Sequence, residues 1–280
     1  MNGKTTTFEW TVSHFDLDQI AESGQVFRWE RRGPENYLIS AGDRVCVAYM
    51  PAPDKLAVRC PENQAAFWRY YFGLGDPYPE YWRTINTWME RDGPDAYLSK
   101  AAAAASGMVV LHQPAWEIMI SFVISQNNNI PRIRASVAAL CRRFGKRITT
   151  EDDEVYYTFP SPEALTELED LAGLGLGYRD KYIAAIARAV TGGGLDVPMV
   201  AAMDYSRAKA ALKAIPGIGE KVANCILLYG MGHLDAFPVD TWIRRVLDRE
   251  FPGGFPMERY AGFGGLIQQM IFYYERRVEK

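Results

Sequence analysis

Lys221 and Asp240 are the two residues of this chain best suited to act together as reagents. Lys221 stands in the run LKAIPGIGEKVANC over residues 212–225. There a helix ending near Ile215 gives way to the turn Pro216-Gly217-Ile218-Gly219, and a second helix opens near Glu220. A lysine amine is nucleophilic only when neutral, and at an ordinary pKa of about 10.4 roughly 0.1% or less is neutral at pH 7. Desolvation or a positive neighbourhood raises that fraction, and a helix N-terminus is such a neighbourhood. Cys225 lies four residues on (225 − 221 = 4), hence on the same helical face. A solvated lysine resting on a phosphate fits the same position, and position alone leaves the two readings level.

Asp240 tips the balance. It precedes Thr241-Trp242-Ile243-Arg244 as a natural helix N-cap, a role worth ~1 kcal/mol that needs no chemistry. It also follows Lys221 by nineteen residues (240 − 221 = 19), room for one helix and a return loop. That separation lets the carboxylate face the amine across a cleft, and one residue can fill both roles. The Gly217 and Gly219 turn adds a third element. Two glycines bend the backbone sharply and expose amides at a helix start, which bind phosphate without net positive charge. A plain helical corner uses the same residues, but the spacing favours phosphate.

These residues need a scaffold. Residues 8–12, 26–30, 37–40, 45–50 and 56–59 are short β-prone runs separated by Gly24, Gly33-Pro34, Gly42-Asp43 and residues 51–54, which predicts an antiparallel sheet. From Gln64 onward the pattern turns helical: residues 82–91, an alanine-rich 95–105, and 116–125, apolar on nearly all sides and so buried in a bundle. Pro131 opens a helix that continues over 132–144, Ser161-Pro162 starts another, and 180–191 is one more, ended by the glycines 192–194. Residues 206–250 hold two helices separated by a loop, and 263–279 forms the last. The fold class expected is α+β, with an N-terminal antiparallel sheet domain and its flanking helices over 1–105 and a helical domain over 106–280.

The chain has 280 residues, 48% hydrophobic and 23% charged, enough for a sizeable core and about two domains. No apolar run reaches the ~18 residues of a membrane span, and the polar residues 1–7 lack a signal-peptide core, so a cytoplasmic protein is expected. Cys46, Cys60, Cys141 and Cys225 are scattered, against a cysteine-built zinc or iron–sulfur site and for free thiols. The net charge of −3 argues mildly against nucleic acid. Local clusters override that balance: residues 151–154 are acidic, while Arg142-Arg143 and Lys146-Arg147 are basic.

The run from Gly217 to Lys221, followed by Pro238-Val239-Asp240, resembles the helix-hairpin-helix base-excision glycosylases. SGQVFRW at 23–29, QNNNIPR at 126–132 and LGLGYR at 174–179 narrow the likeness to the 8-oxoguanine DNA glycosylase/AP lyase family, over nearly the whole chain. The resemblance implies a DNA glycosylase/β-lyase that kinks duplex DNA and turns the damaged nucleotide into a pocket. On it, Lys221 is the nucleophile and Asp240 the acidic partner. Gly24 supplies the carbonyl that recognises the extra proton of 8-oxoguanine, Cys225 and Phe272 sandwich the base, and Gln268 reads its Watson–Crick edge, with Gln269 as the alternative register. Asn127, Arg132 and Arg179 read the estranged cytosine, and Tyr178 is the wedge. Four of these have a plainer explanation: Gly24 as a turn glycine, Phe272 as a core aromatic, Arg132 as a phosphate-bound arginine and Tyr178 as an aromatic packed at a helix start. Trp242 departs from the pattern, standing where some relatives place a histidine.

The same resemblance implies that no organic cofactor is required. It also suggests a cation on hairpin carbonyls near Lys213, Ile215 and Ile218, which nothing in the sequence itself demands. The expected partner is double-stranded DNA containing 8-oxoguanine, bound by a monomer. The rivals are a related glycosylase for another damaged base and a non-catalytic helix-hairpin-helix module.

Overall fold

The structure, a computed structural model, describes residues 4–91, 96–150 and 155–278. The acidic cluster at 151–154 and the start of the alanine-rich helix at residue 95 lie outside them.

Strands β1 (Thr5–Thr11), β2 (Trp29–Gly33), β3 (Asn36–Ala41), β4 (Arg44–Ala52) and β5 (Lys55–Pro61) form one antiparallel sheet in the order β1-β5-β4-β3-β2. The register pairs Phe8 with Val58, Ala48 with Val58 and Ile39 with Cys46. Leu56, Val58 and Cys60 alternate along β5 as strand geometry requires, and all are buried. The sheet packs with Trp68, Tyr71 and Phe72 in one core, Trp68 and Tyr71 lying on helix α2 (Ala65–Tyr71). There the Trp29 indole donates to the Tyr71 hydroxyl at 2.9 Å.

Two departures from the sequence reading matter. A short helix, α1 (Leu17–Glu22), interrupts the β region, capped by the Asp16 carboxylate, which accepts from the Gln19 amide at 2.9 Å. The strand expected over 26–30 begins only at Trp29. Gln25, wholly buried, explains the delay: its amide donates to the Val109 carbonyl and accepts from the Leu111 amide, both at 2.9 Å. The Gln113 side chain returns a bond to the Gln25 carbonyl at 2.9 Å. Gln25 is thus tied to the segment leading into the helical bundle, and pairing with β3 begins only at the Arg28 carbonyl, which accepts from the Ser40 amide at 3.1 Å.

The helical part comprises α3 (Tyr78–Arg91), α4 (Ala96–Ala104), α5 (Ala115–Ile124) and α6 (Ile130–Phe144). A two-stranded hairpin follows, β6 (Arg147–Thr149) with β7 (Val155–Tyr157). Then come α7 (Asp180–Thr191), α8 (Val197–Ala201), α9 (Tyr205–Lys213), α10 (Glu220–Gly230), α11 (Thr241–Glu250) and α12 (Gly264–Val278). Residues 206–250 therefore hold most of three helices, not two. The helix expected from Ser161 is a single 3-10 turn, Pro162–Leu165, because Ser161 makes no capping bond and Leu165 is drawn into the core. As expected, α5 is buried almost all round and packs along α10, while α12 lies against α4 and α11. One charge, Glu117, enters α5's buried surface, and it is paired with Arg28 at 2.8 Å. The same carboxylate accepts from the Gly42 amide at 2.7 Å, so the sheet and the bundle are clasped at this point.

Candidate active site

Lys221 sits in the first turn of α10, behind a helix start that no side chain caps. The turn before it is closed by the Ile218 amide on the Ile215 carbonyl at 3.1 Å, so one of the three carbonyls suggested for a cation is already in use. Gly217 has φ +91°, and a Cβ there would lie 2.4 Å from Tyr182 Cγ. Only glycine fits this approach of the hairpin to α7. The Gln126 amide donates to the Gly217 carbonyl at 3.0 Å, tying the hairpin to the asparagine loop.

A cavity of about 870 Å³ opens between the Gly24 loop, the end of α5, the start of α10, the Pro238–Asp240 segment and α12. Lys221, Asp240, Cys225, Gly24, Gln268, Phe272, Asn127 and Gly219 all line it. The half-buried Lys221 amine donates to the Ser125 hydroxyl at 3.0 Å and lies 5.0 Å from the centre of the Phe122 ring. Ser125 in turn donates to the Phe122 carbonyl at 2.7 Å, which orients its lone pairs toward the amine. Asp240 caps α11 by accepting from the Ile243 amide at 2.9 Å, and its charge also reaches Cys225. Burial pushes the Cys225 thiol up to about 11, countered in part by Lys221, so the sulfur stays protonated. A neutral thiol is a polarisable wall here, not a rival nucleophile.

Gly24 lies with φ +80° against Phe272, whose Cε1 would stand 2.8 Å from an added Cβ. Among the described residues nothing donates to the Gly24 carbonyl. The Arg276 guanidinium lies 5.5 Å from the Phe272 ring centre and donates to the Glu22 carbonyl at 2.9 Å, closing this corner. Gln268 is 3% exposed and donates to the Pro238 carbonyl at 3.1 Å. Gln269, 1% exposed, also borders the cavity.

Arg132, Tyr178 and Arg179, also singled out in the sequence, lie outside that lining. Arg179 is buried, and its guanidinium donates to the carbonyls of Gln126, Asn127 (3.0 Å) and Leu176 (3.0 Å) while lying 4.6 Å from the Tyr178 ring centre. It stands here as a brace for the asparagine loop, in which Asn127 has φ +45°. Asn127 donates to the Tyr178 hydroxyl at 3.3 Å, and Tyr178 is 45% exposed. Arg132 is exposed on the first turn of α6, capped by Asn129. Ser125, Phe122 and Arg276 carry no role in the sequence reading. Only Ser125 had a signal available, a hydroxyl closing a mostly apolar helix just before the asparagines.

An amine set among a hydroxyl, an aromatic face and a carboxylate-bearing cavity can attack an electrophilic carbon delivered into it. Two family models divide the chain: "8-oxoguanine DNA glycosylase, N-terminal domain" matches residues 7–119, and "HhH-GPD superfamily base excision DNA repair protein" matches 120–252. A probable N-glycosylase/DNA lyase of Methanothermobacter thermautotrophicus is 31% identical over 214 residues, 65% of this chain and 68% of that protein. The chain belongs to the 8-oxoguanine DNA glycosylase family. Among solved members of this family, MBOgg1 in complex with a low-affinity DNA ligand superposes with TM-score 0.89 at 30% identity, both chains covered fully. The Clostridium acetobutylicum 8-oxoguanine glycosylase/lyase, bound to double-stranded DNA with cytosine opposite 8-oxoguanine, superposes with TM-score 0.86 at 28% identity, again over all of both chains. The glycosylase fold expected from the sequence is thereby established, sheet domain first and helix-hairpin-helix domain after it. Among the described residues no helix is long and apolar enough to cross a membrane, and no group of three or more His, Cys, Asp or Glu could hold a metal ion.

Proposed function

We propose that this chain excises 8-oxoguanine from duplex DNA, preferentially opposite cytosine, and then cleaves the strand as a β-lyase. One observation carries the reading: the Lys221 amine is held on Ser125 at the wall of a nucleotide-sized cavity that Asp240 also lines. Lys221, once neutral, attacks the anomeric carbon of the extruded sugar; the C1′–N9 bond breaks and the base leaves with its electron pair. Asp240 stabilises the positive charge developing on the sugar and helps move protons. The sugar ring then opens: the C1′–O4′ bond breaks as O4′ takes a proton, the amine nitrogen is left as a C1′=N Schiff base, and loss of a C2′ proton expels the 3′ phosphate.

The base lies between Cys225 and Phe272, with Gln268 on its Watson–Crick edge and the open Gly24 carbonyl accepting from N7–H, the proton guanine lacks. Asn127 and Arg132 face the estranged cytosine, Arg179 holds their loop, and Tyr178 enters the vacated stack. Gly217 and Gly219 present hairpin amides to a phosphate, an attraction that a net charge of −3 does not forbid. A cation on the hairpin carbonyls would strengthen that contact. The division at residues 105/106 separates a sheet domain supplying Gly24 from a helical domain supplying the reagents, and one copy of the chain is sufficient.

Borohydride trapping on an 8-oxoguanine·cytosine duplex tests the reading. A covalent adduct is expected with the wild type and absent in Lys221→Gln. No adduct with the wild type would mark a DNA-holding module without catalysis.

A further inference from the structure

An amide side chain reading a purine edge has a weakness that shape cannot cure. Guanine-type bases carry an acceptor at position 6 beside a donor at N1, whereas adenine-type bases carry a donor at position 6 beside an acceptor at N1. Rotated by half a turn, one glutamine amide matches either. A glutamine therefore selects between them only if something fixes which end is oxygen and which is nitrogen.

In this chain that constraint is visible. The Pro238 carbonyl can only accept, so the nitrogen of Gln268 must face it, at 3.1 Å. Gln268 Oε1 then faces Gln269, whose Nε2 donates to it at 3.0 Å. The other hydrogen of the same nitrogen goes to the Tyr229 hydroxyl at 2.6 Å. Turning Gln268 over would set its oxygen against the Pro238 carbonyl and its nitrogen against the nitrogen of Gln269. Turning Gln269 over would oppose two oxygens. Each link forbids the reversal of the next. A further sign is that Gln269 Oε1 is buried without a partner, an unsatisfied acceptor in a residue lining the cavity. Such orphans are rare where packing alone decides a side chain, and a leucine would fill the space without that cost.

We propose that Gln269 is a positioning residue that locks the direction of the Gln268 amide and thereby makes the pocket select guanine-derived over adenine-derived bases. This rests on the reading of Gln268 as the edge reader given above. The Pro238 carbonyl, two residues before Asp240, anchors the chain of amides, so base reading and the carboxylate share one backbone segment.

The test compares kcat/KM for duplexes carrying 8-oxoguanine or 8-oxoadenine, each opposite cytosine. Gln269→Met keeps the volume and removes the donor; the preference for 8-oxoguanine should narrow roughly fivefold, the factor one neutral hydrogen bond governs. Gln269→Glu offers only acceptors to Gln268 Oε1 and should narrow it further. A purely structural Gln269 would lower both substrates by one common factor, and an unmoved ratio in either variant overturns the assignment. Should Gln269→Met not fold, Tyr229→Phe frees the far side of Gln269 and should narrow the ratio to a smaller extent; no change there overturns it equally. A wild type unable to release 8-oxoguanine sinks the glycosylase reading itself, whereas an active wild type with unmoved ratios sinks only the role of Gln269.

Discussion

The Lys221 amine and the Ser125 hydroxyl stand 3.0 Å apart, joining the start of α10 to the end of α5. The contact fixes a flexible four-carbon chain inside the cavity with a neutral partner, not a carboxylate that would hold the ammonium form. Ser125→Ala should leave the fold intact and slow Schiff-base formation about fivefold, one hydrogen bond being worth ~1 kcal/mol. Borohydride trapping followed over time measures this; a trapping rate equal to wild type would show that Phe122 and the cavity wall alone position the amine.

Gly24→Ala places a methyl 2.8 Å from the Phe272 ring edge at a φ of +80°. The strain and the displaced ring should cost about 1–3 kcal/mol and shift the Gly24 carbonyl. Excision of 8-oxoguanine should fall more than DNA binding does, and the preference over guanine should narrow. A variant that discriminates as wild type returns Gly24 to turn duty.

Gly217→Ala meets Tyr182 at 2.4 Å on the hairpin side of α7. The hairpin must move, with a stability loss of about 2–3 kcal/mol in urea titration and weaker binding to undamaged duplex. Truncating the obstacle in Tyr182→Ala/Gly217→Ala should restore part of the binding, and failure to do so would argue that φ alone is responsible.

Glu117→Gln removes the charge that partners Arg28, both side chains being under 10% exposed. Breaking a buried pair from one side typically costs ~3–5 kcal/mol. Burial is the largest influence on Arg28 and lowers its pKa, but the Glu117 charge and hydrogen bond, with smaller contributions from Cys141 and Tyr71, together raise it, so the guanidinium stays charged and loses its main partner in the variant. Chemical denaturation should show a large drop, whereas Ser125→Ala should show almost none.

Glu220 bridges the hairpin, accepting from Lys213 at 2.7 Å and pairing with Lys209 at 2.9 Å. Its carboxyl is drawn down to about 2, chiefly by the Lys213 bond and then by the Lys209 bond. A folded-state pKa below the unfolded value of about 4.3 contributes stability that is present above the unfolded value. That contribution fades as the pH falls from about 4.3 toward 2. Because Glu220 is 56% exposed, solvent screening limits it to at most about 1 kcal/mol. Glu220→Gln should lower neutral stability by up to about 1 kcal/mol and so flatten the acid limb of the stability profile, with little change near pH 2; an identical acid limb would refute the bridge.

Much of this molecule was legible in its sequence, because the decisive signals are local. The Pro216–Gly219 turn, the cap at Asp240, the apolar α5 and the glycine-ended α7 each follow from neighbours within a few residues. The Lys221 motif and its spacing to Asp240 singled out, for the same reason, two residues that line one cavity. What lay beyond reach depends on partners distant in the chain. Gln25 abandons a strand because residues 109–113 claim its amide. Glu117 tolerates an apolar helix only because Arg28 arrives 89 residues earlier to neutralise it. Ser125 meets Lys221 across 96 residues, and Gln269 acquires its direction from Pro238 through Gln268. Hydrogen bonds and buried charges are satisfied in space, so tertiary packing alone decided how Lys221 and Gln268 are held.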